Sequence, residues 1–338
     1  LTSCNEATEW KPQLIAYYAG DEKSIDDFDL NGVDQIIYSF LHLKGNELAI
    51  DNEADSLTLV NLVKQKEKYP NLKVLVSLGG WGGCETCSEV FSSAQGRIDF
   101  AVSTAKIIET FDADGIDLDW EYTAISGYPG HKYQPEDREN FTDLVVQLRN
   151  YMKQGDILSF AAGASMRFFE NSVEWDKVMP LVDNVNLMTY DFFGSGSSKT
   201  GHHTALSSSA FQDRSAEASI KALIDLGVNP KKIFIGGAFY IKTFKEVSNV
   251  NNGLNQPAKW NRSYNQINFD SVRSNFSFYW DEQAQGRRRF LAAFREHAVQ
   301  LGPRVHRDEP ALDGILLDAC LDAVVGLKPP LVVAMVWR

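Results

Sequence analysis

The run from Phe111 to Tyr122, FDADGIDLDWEY, limits this chain more than any other stretch. It reads as a strand in which Asp117, Asp119 and Glu121 alternate with Ile116, Leu118 and Trp120. Successive side chains of a strand point to opposite faces, so three acids share one face and three large apolar groups the other. A strand of a closed barrel satisfies both faces at once, with acids turned inward and apolar groups against a layer of helices. A solvated acidic edge would not alternate with Ile, Leu and Trp. A calcium loop of the EF-hand type needs a central Gly and a Glu at its twelfth position, and neither is here. Three carboxylates so close resist ionising together, and burial adds to the resistance. One of them is then a protonated acid near neutral pH, able to donate to a departing oxygen. Glu121, the furthest along, is the candidate donor.

Around this run, apolar segments alternate in character. Strand-like segments are 14–18, 35–40, 73–78, 156–162, 185–191 and 232–240. Apolar positions at helical spacing mark 55–68, 97–110 and 138–152 between them. Strict alternation of strand and helix predicts an α/β chain with a parallel sheet. Seven such strands fit an eightfold (β/α)8, or TIM, barrel, whose sites gather at the carboxyl ends of the strands. Trp81, Glu121, Asp191 and Tyr240 all fall at such ends. Residues 123–137 form a turn-rich loop just past Glu121.

The pattern Asp114-x-x-Asp117-x-Asp119-x-Glu121, in the context DGIDLDWEY, resembles the signature of family 18 glycoside hydrolases, the chitinases and endo-β-N-acetylglucosaminidases. The resemblance covers residues 13 to 285. It implies a substrate-assisted retaining mechanism, an exception to the two-carboxylate scheme. Glu121 would be acid and then base. Asp119 would orient the substrate acetamido group, and Asp117 would lie behind it and share a proton with it. Asp114, off the alternating face, would be structural. Tyr190, in Met188-Thr-Tyr-Asp191, would align the acetamido carbonyl, with Met188 and Asp191 at the same sugar. Tyr17 and Phe40 would support the acids from below, and Trp81 would stack on a sugar. Tyr240 matches the seventh-strand Tyr of the family, but Ile241-Lys242 stands where Gly-Arg is usual. Lys cannot make the planar two-pronged contacts of Arg, which weakens any carried-over role for that charge. No cofactor and no metal are expected. His202-His203 invites a metal reading, but adjacent His point apart on an extended chain, and a loop role beside the cleft is the expectation.

The two ends depart from this pattern. Residues 1–12 read as a tether, with LTSC resembling the end of a bacterial lipoprotein signal and Cys4 as the lipidated residue. That predicts a secreted or cell-surface protein, a monomer on a glycan. Residues 241–280 are rich in Asn and aromatics and read as an insertion after the seventh strand, either a β-rich flap walling the cleft or a simple loop. The tail from 286 looks foreign. Residues 1–286 hold 7 Arg and 18 Lys, whereas 287–338 hold 7 Arg and 1 Lys. Within it, Val332–Trp337 resembles the closing strand of the family, with Trp337 as a substrate-binding candidate, and Asp313–Leu317 is a second candidate for that strand. The expectation is a tail read out of frame, or otherwise altered, from about Gln285. A barrel left open by it would fold poorly.

Charge narrows the partners. A net charge of −12 disfavours nucleic acid and anionic membranes, which call for basic patches, and leaves a neutral glycan compatible. Cys84-Glu-Thr-Cys87 is a single CxxC, so it reads as a local disulfide or two free thiols rather than a zinc site. The functional expectation is cleavage at N-acetylglucosamine in chitin or chito-oligosaccharides. The alternatives are an endo-β-N-acetylglucosaminidase on N-glycan cores and a non-catalytic glycan-binding protein, although the latter would usually lack Glu121.

Overall fold

The computed structural model describes residues 13–238, 240–264, 277–284, 286–290, 297–301 and 332–336. Eight parallel strands close on themselves. They are numbered here as barrel strands: β1 (Leu14–Tyr18), β2 (Gln35–Lys44), β3 (Lys73–Gly79), β4 (Gly115–Asp119), β5 (Ile157–Gly163), β6 (Asn184–Met188), β7 (Ile233–Ala238) and β8 (Val332–Val336). Each pairs with the next, and β8 lies between β7 and β1, with Val332 opposite Phe234 and Val333 opposite Leu14. The predicted barrel is therefore present, and its backbone closes. Residues 302–331, including the candidate Asp313–Leu317, and Trp337 lie outside the described residues, as do Cys4 and the tether.

The three helices read from the sequence are present with small shifts at their ends, and a fourth long one, Ala216–Asp225, was not read from it. The long ones are Glu53–Lys64, Ala94–Phe111, Asp137–Tyr151 and Ala216–Asp225. Asn52, Ser93 and Ser215 cap three of them, each side chain accepting a backbone N–H of the first turn. No helix among the described residues is long and apolar enough to cross a membrane.

The acidic run is shorter as a strand than its pattern implies. Phe111 belongs to the preceding helix, which ends on Asp112 in the left-handed conformation at φ 56°. Pairing with β3 stops at the rung Gly79–Asp119, so Glu121 stands in the turn beyond the strand. Thr123 Oγ1 donates to the Trp120 carbonyl at 3.1 Å and helps bend the chain there. The alternation nevertheless persists for two more residues. Ile116, Leu118 and Trp120 are buried under the helices, with Trp120 against Phe91 and Phe141 at ring distances of 5.4 and 6.4 Å.

After β7 comes a five-stranded antiparallel sheet in the order 259–264, 241–245, 297–301, 286–290, 277–281. The β-rich flap is thus real as backbone, and it runs beyond 280 to take in two stretches of the segment set apart as a foreign tail.

Candidate active site

The barrel interior is built in layers. Ile15, Tyr17, Ile37, Leu75 and Phe234 form one apolar layer. Above it runs a polar rung, because Ser77 pairs with Asp117 and Asp117 with Ser159 in strict register. Two small hydroxyl residues flank the carboxylate where a larger side chain would crowd it. Asp117 is fully buried and receives four donors. Ser159 Oγ and Asn186 Nδ2 reach its Oδ1 at 2.6 and 3.2 Å, and Tyr17 Oη and Ser77 Oγ its Oδ2 at 3.1 and 3.0 Å. Burial pushes the carboxyl above its ordinary range, while the four donors favour the charged form and limit the rise. Asn186 also donates to Tyr17 Oη at 2.7 Å and accepts from Asn184 Nδ2 at 2.8 Å, which fixes its amide. The Tyr17 phenol is pushed well up, by burial first and then by Asp117 and Asp119, so it stays protonated.

Asp119 ends β4, and the glycines after β3 let the chain come close to it. A Cβ on Gly79 would sit 2.6 Å from the Asp119 carbonyl, and one on Gly80 would strike the Phe40 ring at 2.6 Å. Asp119 and the half-buried Glu121 line a cleft of about 700 Å³ together with Tyr17, Phe40, Trp81, Met188, Tyr190, Asp191 and Tyr240. Every predicted site residue in the described part therefore borders this cleft, except Asp117, which is sealed beneath it.

On the opposite wall, Asp191 sits just past β6 at φ 57°, a left-handed conformation uncommon outside Gly. Lys242 Nζ lies 2.9 Å from its Oδ1 and His203 Nδ1 3.6 Å from the same oxygen. Burial would raise this carboxyl, but His203 and the Lys242 ammonium outweigh it and hold it at about 2. Lys242 also stands over the rings of Tyr240 and Trp260, at 5.0 and 5.4 Å. The substitution of Lys for the usual Arg thus keeps a cation in the cleft, and the flap's first strand carries it there.

Both His of the pair lie in a loop beside the cleft, as expected, and both are buried. His202 Nε2 meets Asp281 Oδ2 at 3.0 Å, and His203 is wedged between Asp191 and the Tyr240 ring, 5.7 Å between centroids. Their carboxylate partners are remote in sequence, which is why the pair looked unsupported. Burial pushes the His203 ring below its ordinary value, so it is neutral at neutral pH. Among the described residues no cluster of His, Cys, Asp and Glu could hold a metal.

Asp114 lies away from the cleft. Its carboxylate accepts the Val74 N–H at 2.9 Å and pairs with Lys66 and Lys73, both at 2.9 Å, tying β4 to β3. Cys84 and Cys87 form a disulfide. Sequence reasoning missed Ser77, Ser159, Asn186 and Arg214. Ser77 and Ser159 were recoverable from strand register opposite Asp117, whereas Asn186, on β6 with Ala161 as its register partner, was not. Arg214 lines the cleft and donates to the Phe192 carbonyl at 2.9 Å, a placement no local pattern signals.

The comparisons agree with this fold. A chitinase of Bacillus thuringiensis shares the fold at a TM-score of 0.83 and 22% identity, over 97% of this chain and 66% of that one. A family 18 N-acetylglucosaminidase of Paenibacillus barengoltzii superposes with a TM-score of 0.81 at 27% identity, over 97% of this chain and 95% of its own. By sequence the chain is 28% identical to a probable chitinase 2 of Drosophila melanogaster and 29% to chitinase A1 of Niallia circulans, over 81% and 66% of this chain. It spans 59% and 36% of those relatives' own lengths. The profile of the glycosyl hydrolases family 18 matches residues 13–292, and with the acid rung and barrel described above this chain belongs to that family.

Proposed function

We propose that the protein hydrolyses β-1,4 bonds at N-acetylglucosamine in chitin or chito-oligosaccharides, with the substrate's acetamido group as nucleophile. The observation that carries this reading is the division of three like acids among three environments: Asp117 sealed under four donors, Asp119 at the strand end, and Glu121 half-buried in the cleft. Environments that differ this much separate the roles of identical groups. Glu121 donates its proton to the glycosidic oxygen as that bond breaks. The acetamido oxygen closes on the anomeric carbon and forms an oxazolinium ion. Asp119 accepts the acetamido N–H and balances the positive charge. Water then adds to the anomeric carbon, Glu121 takes its proton, and the two displacements together retain the configuration. Tyr190, across the cleft, aligns the acetamido carbonyl. Asp117 lies beneath Asp119 and shares a proton with it, and the Tyr17 phenol stays a donor to Asp117.

A second reading has one observation in its favour, the match along nearly the whole of both chains to the Paenibacillus N-acetylglucosaminidase, which points to action on short chains. Release of reducing ends from chitotetraose, from chitobiose and from a high-mannose glycopeptide separates these readings and the endo-β-N-acetylglucosaminidase alternative. In the same assay Glu121→Gln should lower kcat by about two to four orders of magnitude while the protein still binds chitotetraose. Undiminished turnover would remove Glu121 as the acid. Lipid anchoring through Cys4 at a cell surface belongs to the same proposal. Cys4→Ser in the full precursor should move the protein from the detergent phase to the aqueous phase, and unchanged partitioning would dismiss the anchor.

A further inference from the structure

The proposed reaction leaves His203 without a part. Its ring is fully buried behind the cleft wall, with Nδ1 facing Asp191 Oδ1 at 3.6 Å and the ring against that of Tyr240. The backbone keeps it there. The His203 carbonyl accepts the Phe192 N–H at 3.2 Å, which pins this loop to the residue that follows Asp191. Next to it, Gln212 spans both backbone groups of His202. Its Oε1 accepts the His202 N–H and its Nε2 donates to the His202 carbonyl, both at 2.8 Å. A buried imidazole pinned on both sides has little freedom to shift.

Asp191 needs such a neighbour. Its left-handed backbone persists in a residue other than Gly where the surroundings enforce it. Lys242 and His203 both act on Oδ1, and the side chain is 45% exposed, so Oδ2 is the oxygen turned to the cleft. The two partners differ in kind. Lys242 is a point charge on a flexible stem, and it stands over the rings of Tyr240 and Trp260 as well, so it attracts without directing. His203 is rigid and neutral. Facing a carboxylate, the neutral ring keeps its proton on Nδ1 and is a donor of fixed direction. The approach of 3.6 Å is short of a full hydrogen bond, and contacts of this kind tighten when substrate fills a site. The groups that face the ring are the Asp191 carboxylate, the Lys242 ammonium, and the carbonyl and ring of Tyr240.

We propose that His203 is a positioning residue for the reaction: by donating to Oδ1 it fixes the Asp191 carboxylate and presents Oδ2 to the bound sugar. His203 itself does not touch that sugar. This rests on the glycosidase reading above.

The test uses 4-nitrophenyl chitobioside. His203→Leu should lower kcat/KM about 10- to 100-fold, the range for losing a group that orients a site residue. His203→Asn, whose amide nitrogen can stand where Nδ1 does, should stay within about threefold of wild type. His203→Gln, whose amide falls nearer Nε2, should lose as much as Leu. A merely structural role would not show coupling. Asp191→Gly removes the carboxylate and suits the left-handed backbone, and in that background His203→Leu should cost less than about twofold. In His203→Leu alone, the Asp191 carboxyl should titrate above its wild-type value of about 2 in carbon-detected NMR. With the wild type active, equal losses from His203→Leu in both backgrounds, an unmoved Asp191 titration, or an Asn variant no better than Gln overturns the proposal. If His203→Leu does not fold, the Asn and Gln variants decide alone, and equal turnover overturns it. A wild-type protein inactive on the substrate overturns the glycosidase reading, and this proposal with it.

Discussion

Replacing Asp117 tests the polar rung most directly, because its donors differ in what they can do once the carboxylate is gone. In Asp117→Ala, Asn186 keeps Tyr17 Oη as a partner at 2.7 Å. The hydroxyl protons of Tyr17, Ser77 and Ser159 lose their acceptor inside the barrel. At about 1 kcal/mol for each stranded hydroxyl, the low end for an unsatisfied buried donor, the loss comes to about 3 kcal/mol. For a chain of 338 residues that lowers Tm by about 4 °C. Asp117→Asn behaves differently. Its carbonyl in the Oδ1 position still accepts from Ser159 and Asn186. Its NH2 in the Oδ2 position donates to Tyr17 and Ser77, whose hydroxyls can turn to accept. The Tyr17 and Ser77 protons are both displaced, at about 2 kcal/mol by the same count, and the neutral amide offsets part of that because it escapes the burial that pushes the Asp117 carboxyl up. The net change should stay within about 1 kcal/mol. Urea unfolding followed by circular dichroism, with both variants at pH 7, reads the difference. If the two variants are equally destabilised, the four-donor account of this rung is wrong.

Further expectations follow from the cleft walls and the strand contacts. His203 is depressed by burial from its ordinary 6.5, so the unfolded chain takes up that proton first as pH falls. Its contribution to stability is complete above about pH 6.5 and drains away below it, and His203→Asn should flatten Tm against pH between 7 and 5; an unchanged slope would contradict this. Lys242→Met removes one of the two groups holding Asp191 at about 2, so the Asp191 carboxyl should titrate closer to the usual range in carbon-detected NMR. A value that stays put would assign the depression to His203 alone. Gly115→Ala would drive a Cβ to within 1.9 Å of the Ile157 carbonyl and force β4 from β5. It should cost about 3 kcal/mol or destroy folding, and a soluble variant with wild-type Tm would show that the strands can part there.

What could be read in advance was whatever repeats locally. The period of two at Asp117, Asp119 and Glu121 placed the acids inward and Trp120 outward even where the strand itself had ended, because alternation outlasts pairing. Strand and helix periodicity delivered seven of the eight barrel strands. Asp114 could be set aside from chemistry by its parity alone. Contacts between distant segments stayed hidden. Nothing near His203 announces Asp191 or Tyr240, and nothing in Ile241-Lys242 says that the flap's first strand returns its ammonium to the cleft. Arg composition set the stretch after 286 apart as foreign, yet the pairing of 286–290 and 297–301 joins it to the flap, because backbone hydrogen bonds do not depend on which cation a segment carries.

The seam at Val332–Val336 has a consequence for synthesis. Leu14–Tyr18 is made before the other barrel strands and its neighbour on that side after them, so the nascent barrel carries two unmated parallel borders until Val332–Val336 is made. Such borders invite pairing with other chains. The hazard for this protein is therefore concentrated in the interval before its final strand leaves the ribosome, when a holdase covering either border would matter most.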